Sequence, residues 1–199
     1  ASVSVIVHLG ATPVFVDVLS DQTMDPTKLE KVITKRTKVI MPVHLTGRIS
    51  EMFEINKIAK KYNISVVEDA AQCIGSLYHN KPSGSLGTIG CFSAHPLKNL
   101  NAIGDAGYLT TNNKNIFKKV IELRNHGMVD RNKVKNFGYV SRMDNLQAAV
   151  LNYRLKNFKD VIKKRRENFK LYNKYLNKKH IFISPEKKYQ YNTYHTFVI

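Results

Sequence analysis

Short apolar runs alternate with amphipathic stretches through the first two-thirds of the chain. Pro13-Val14-Phe15-Val16-Asp17-Val18 reads as a strand, rich in β-branched and aromatic residues. Asp25-Pro26 then opens a helix, aspartate as N-cap and proline in the first turn, with Leu29, Val32 and Ile33 following. Lys38-Val39-Ile40-Met41-Pro42-Val43 is a second strand, and Ser50 is placed to cap the next helix, whose apolar face is Ile55, Ile58, Ala59 and Tyr62. Ile64-Ser65-Val66-Val67 is a third strand, running into Glu68-Asp69. This rhythm predicts an α/β fold, a parallel sheet with helices on both faces. Such sheets bind ligands beyond the carboxyl ends of their strands, where Asp69 lies. The same aspartate also reads as the N-cap of a helix starting at Ala70-Ala71-Gln72, and spacing alone leaves both readings open.

From Gly84 to Gly107 the pattern changes. Glycines at 84, 87, 90, 104 and 107 punctuate two short strands, Ile89–Ser93 and Gly107–Thr110, joined by a long loop that carries His95, Pro96 and Lys98. A helix follows from about Asn113 to Leu123, then a loop over Gly127–Phe137. A long helical stretch opens near Met143-Asp144 and is expected to bend near Asp160. Tyr194-His195-Thr196-Phe197-Val198-Ile199 reads as a last strand.

The 199 residues, 43% hydrophobic and 24% charged, suit a globular domain with a conventional core. No apolar run is long enough to span a bilayer. The N-terminus lacks a basic n-region and an initiator Met, and is expected to begin inside a fold. Cys73 and Cys91 are too few for a disulfide framework and lack zinc-site spacing, so they are expected as reduced thiols in a cytoplasmic protein, with no metal. The net charge of +17 is the outlier. Much of it falls between Arg154 and Lys179, where Phe169, Tyr172 and Leu176 form a helical stripe and the lysines a wet face. That favours a solvated surface over nucleic-acid binding, and an anionic substrate is compatible with it.

Chemistry concentrates in the glycine-flanked loop. One lysine among 32 Lys and Arg is ordinarily a surface charge. Lys98, however, sits in a mostly uncharged loop between two core strands, where ligand-facing loops belong. A lysine withdrawn from water supplies the neutral amine that attacks a carbonyl. Ser93, five residues earlier at a strand end, can offer a hydroxyl to an anionic group, or simply begin a turn. His44 and His126 lie in loops near strand ends, His126 being the better pocket candidate. Arg142 reads equally as an anion contact or a helix start.

Eight blocks carry a family resemblance. They are Gly10–Asp17, Pro42–Gly47, Glu68–Gln72, Gly84–Gly87, Cys91–Leu100, Gly104–Gly107, Arg124–Gly127 and Ser141–Ala149. In order and together they resemble the DegT/StrS family of nucleotide-sugar aminotransferases, over nearly the whole chain. The resemblance implies the aspartate-aminotransferase type of pyridoxal-phosphate (PLP) fold, fold type I, with a mostly parallel sheet flanked by helices. It implies pyridoxal 5'-phosphate as cofactor. Lys98 matches the Schiff-base lysine, Asp69 the partner of the pyridine nitrogen, Gln72 a residue lining the ring and Ser93 a phosphate contact. His126, Arg142 and Asn99 are candidate substrate or cross-subunit residues, since the segment Gly138–Arg142 matches one that reaches into a neighbouring subunit. A homodimer with shared sites is therefore expected.

Residues 1–150 are expected as the large cofactor domain, and 151–199 as a connecting helix and the start of a small C-terminal domain. The family's Gly-Thr phosphate-binding segment is expected to precede residue 1. Val140 stands where the family carries asparagine, and Gly104-Asp105-Ala106-Gly107 where it carries Gly-Asp-Gly-Gly. The implied reaction is amino transfer, glutamate the usual donor, to a nucleotide-linked keto sugar. Two alternatives stand beside it. Related sugar dehydratases carry histidine at the position of Lys98, which disfavours that chemistry here. A basic nucleic-acid module using Arg154–Lys179 leaves Asp69, Ser93 and Lys98 without explanation.

Overall fold

The computed structural model describes residues 1–199. In chain order its elements are α1 (Ser2–His8), α2 (Pro26–Leu29, continued by a 3-10 turn Glu30–Val32), β1 (Val39–Ile40), α3 (Met52–Lys61) and β2 (Ser65–Asp69). Then come β3 (Leu77–Tyr78), β4 (Lys81–Pro82), β5 (Ile89–Ser93), β6 (Gly107–Thr110) and α4 (Lys114–Leu123). The last are β7 (Met128–Asp130), β8 (Lys133–Val134), α5 (Asn145–Lys156), α6 (Phe158–Tyr175) and β9 (Gln190–Tyr191). The central sheet has the order β1-β2-β5-β6. Its first two pairings are parallel, as the sequence pattern predicts, and the last is antiparallel, so the sheet is mixed and mostly parallel, as the family resemblance implies.

Alternation along β2 divides the sheet into two faces. Val66 and Glu68 are buried on one, while Val67 and Asp69 are half-buried on the other. The Val66 face packs on α2 and α3, where Leu29, Ile40, Met52, Ile55 and Ala59 form the larger core. Asp25 caps α2 by accepting from Thr27 N at 2.8 Å, as its place before proline suggests. A smaller core joins Ala94, Leu100 and Ala102 to Leu151, Phe158 and Ile162, so α5 and α6 pack on the loop that follows β5.

Several local expectations are corrected. Pro13–Val18 forms no strand: it makes one isolated bridge, Val18 with Met24, and Val14 and Phe15 are exposed, because no neighbouring strand pairs with them. Ser50 does not cap α3, whose N-cap is Glu51. Its hydroxyl is spent on Val43 O at 3.3 Å and on His44. The strand expected over Lys38–Val43 is regular only at Val39–Ile40, plus a bridge from Val43 to Asp69, since Pro42 has no N–H for the ladder. Residues 127–137 hold the β7–β8 hairpin rather than plain loop. The helical break falls at Asn157, not Asp160. Tyr194 has φ +47°, which ends the extended run expected over Tyr194–Ile199. Lys163 and Lys164 are exposed as expected, but Arg165 and Arg166 turn inward, Arg166 bonding Glu186 at 2.7 and 2.9 Å. No helix is long and apolar enough to cross a membrane.

Candidate active site

The parallel strands deliver Asp69 to their carboxyl edge. Its N–H donates to Pro42 O and its carbonyl accepts from His44 N, both at 3.0 Å, so its backbone is zipped to the segment after β1. Its side chain starts a turn rather than a helix: Oδ1 accepts from Ala71 N at 3.1 Å, which corrects the helix N-cap reading. Oδ2 accepts from Ser2 Oγ at 2.5 Å, bringing α1 onto this face. The register pairs Asp69 with Cys91, and Ser93 follows two residues on, hence on the same face. Asp69 and Ser93 are thus brought together by strand pairing alone.

The loop carrying Lys98 leaves directly from Ser93, whose Oγ accepts from His95 N at 3.2 Å. A turn closes where Lys98 N donates to His95 O at 2.8 Å, leaving the Lys98 side chain half-buried. Three residues that sequence reasoning did not single out brace this loop. Arg154 donates to Asn101 O and Oδ1, both at 2.6 Å. Gln147 Oε1 accepts from Ile103 N at 2.9 Å. His195 returns from the far end of the chain to place Nδ1 3.1 Å from Asn99 Oδ1. Burial, with the charges of Lys98 and Arg165 behind it, pulls the His195 imidazole down to about 4.

Five buried polar atoms have no hydrogen-bond partner, on Gln72, Asn99, Asn192 and Tyr194; Gln72 Oε1 belongs to the turn after Asp69, and Asn99 Nδ2 to the residue after Lys98. Buried amides are normally satisfied, so orphaned ones next to a lysine and an aspartate mark a place for a polar ligand. His126 and Arg142 do not join this cluster. Both are exposed, on a segment tied to itself through Ser141 N to Arg124 O and His126 N to Tyr139 O.

The opposite face is chemically closed. His44 is fully buried with its Nε2 2.9 Å from Glu68 Oε2. The same carboxylate accepts from Gly84 N at 2.8 Å, Leu86 N at 2.7 Å and Gly87 N at 2.5 Å. Burial works against ionisation, but His44 and these backbone donors outweigh it and hold the Glu68 carboxyl below its usual range. Gly84 sits at φ +76°, and a Cβ on Gly90 would fall 2.2 Å from its Cα, so both glycines are required for the turn to lie this close. Burial raises both thiols, Cys73 to about 12, which fits inert cysteines.

The profile of the DegT/DnrJ/EryC1/StrS aminotransferase family matches residues 1–199. The dTDP-3-amino-3,6-dideoxy-alpha-D-galactopyranose transaminase of Aneurinibacillus thermoaerophilus is 41% identical, over 100% of this chain and 55% of its own length. A Geobacillus stearothermophilus protein named pleiotropic regulatory protein is 36% identical with the same coverage. The crystal structure of Streptomyces venezuelae DesV in complex with a ketimine intermediate superimposes with a TM-score of 0.94 at 32% identity, covering 98% of this chain and 53% of that one. The chain spans about half the length of the curated relatives it matches.

Proposed function

Because this chain belongs to the DegT/DnrJ/EryC1/StrS aminotransferase family, we propose that the whole protein is a PLP-dependent aminotransferase acting on a nucleotide-linked keto sugar in amino-sugar biosynthesis. Glutamate is the proposed amino donor. The observation that carries the reading is the coincidence of Asp69 and Ser93 on one sheet face with the Lys98 loop and two orphaned amide atoms. The residues present suit the cofactor. Lys98 offers an amine for covalent attachment, Ser93 a hydroxyl for the phosphate, and Asp69 a carboxylate for the pyridine nitrogen. Gln72 Oε1 and Asn99 Nδ2 are an acceptor and a donor without partners in the protein.

When bound, the cofactor supplies an electron sink for the carbanion formed at the substrate carbon. Asp69 keeps a proton on the pyridine nitrogen. The Lys98 amine would carry a proton to and from the substrate carbon through its Nζ. His195, uncharged at neutral pH, accepts or donates beside the lysine without adding a second positive charge.

The reading extends to a homodimer in the cytoplasm, with residues 1–150 in the large domain and 151–199 starting the small one. Support for a dimer comes from apolar side chains left open to solvent: Leu97, Phe137, Tyr139 and Val140 are all at least two-thirds exposed. The test is an absorption spectrum of the full-length protein with PLP, before and after glutamate. Lys98→Ala is expected to abolish the absorbance of the covalently held cofactor and all turnover. Retention of both in that variant overturns the assignment.

A further inference from the structure

Glu68, His44 and Ser50 form a buried line that resembles a catalytic triad, with 2.9 Å between His44 Nε2 and Glu68 and 3.2 Å between His44 Nδ1 and Ser50 Oγ. It is not one, because all three side chains are fully buried and the serine hydroxyl is bound to Val43 O. We infer instead that Glu68 and His44 are positioning residues for Asp69, setting how its carboxylate meets the cofactor. This rests on the cofactor role proposed above for Asp69.

The backbone carries the argument. Ser50 N donates to His44 Nδ1 at 3.3 Å, and an N–H cannot accept, so that ring nitrogen holds a lone pair. The ring proton is then on Nε2 and is given to Glu68. The carboxylate has room for about four donors, and His44, Gly84, Leu86 and Gly87 fill it. His44 also binds Asp69, through its own N–H to the Asp69 carbonyl at 3.0 Å. One residue therefore grips the side chain of Glu68 and the main chain of Asp69 together. Glu68 and Asp69 are successive on a strand and point to opposite faces, so neither can rotate or slip without the other. The satisfied carboxylate on the closed face fixes the direction of the reactive one on the open face.

The experiment uses the full-length protein loaded with PLP and compares Asp69→Asn, Glu68→Gln, His44→Gln and His44→Phe. Read-outs are cofactor dissociation and the pH midpoint of the bound cofactor's absorbance, with near-ultraviolet circular dichroism to check folding. Glu68→Gln presents N–H groups to N–H groups. It is expected to weaken PLP binding on the order of 10-fold, the scale of partners that orient a ligand from behind. It should also move the absorbance midpoint in the same direction as Asp69→Asn, by less. His44→Gln keeps a donor for Glu68 and should lose several-fold less affinity than His44→Phe. A folded Glu68→Gln with wild-type affinity and midpoint, beside a perturbed Asp69→Asn, overturns the inference alone. If Glu68→Gln does not fold, equal affinities in the two His44 variants overturn it. A wild-type Asp69→Asn overturns the cofactor role of Asp69 and this inference with it.

Discussion

The two faces at the end of β2 differ in kind. On one, Glu68 is fully buried and every acceptor position of its carboxylate is occupied. On the other, Asp69 is half-buried, and Gln72 and Asn99 keep orphaned polar atoms. Two adjacent acidic residues thus serve opposite ends. Where the polar groups are complete, the carboxylate holds the fold, and where they are incomplete, it is available to a ligand.

The contrast can be broken most sharply at Glu68. Glu68→Ala leaves His44 and three backbone N–H groups without their acceptor, and is expected to destabilise by about 3–5 kcal/mol in urea unfolding. Gly90→Ala forces the Gly84 turn off the sheet on the same face, with an expected cost of about 1–3 kcal/mol. A smaller effect lies in the acid limb of stability. The unfolded histidine takes a proton near 6.5 while folded His195 refuses it to about 4, so the unfolded state binds more protons across that window and stability falls with acid. Glu68 adds a second loss with the same sign below the ordinary carboxyl value of 4.5, where the unfolded group is protonated first. His195→Gln should flatten the upper part of a stability-against-pH curve and leave the lower part. The smallest effect belongs to the open face. Ser93→Ala removes one hydrogen bond, from His95 N, and should cost only about 0.5–1 kcal/mol of stability while weakening PLP binding in an absorbance titration. Equal stability losses at Glu68 and Ser93 would erase the distinction between the faces.

Much of this was legible in the sequence, for local reasons. The strands at β2, β5 and β6 were visible because their runs are bounded by turn residues, and the helix expected from about Asn113 to Leu123 is α4, with Asn113 as its N-cap, accepting from Asn115 N and Ile116 N. Asp69 was found from its place at a strand end. Ser50 looked like an equally good cap, but tertiary partners claimed its hydroxyl. Pro13–Val18 has strand composition, yet composition does not provide a neighbour to pair with. The role of Glu68 was missed although a signal existed: it stands two residues after Val66, so strand alternation points it inward. His195, Gln147 and Arg154 reach the Lys98 loop from distant segments, which no local pattern records.

The bracing of that loop has a mechanical consequence. Lys98 rides on a span with two abutments, Arg154 and Gln147 of α5 on one side and His195 on the other. Both abutments belong to the C-terminal third of the chain. A tilt of α5, or a tug on the segment that carries His195, is therefore transmitted to the lysine as strain, making the loop a gauge of how the rest of the molecule is seated.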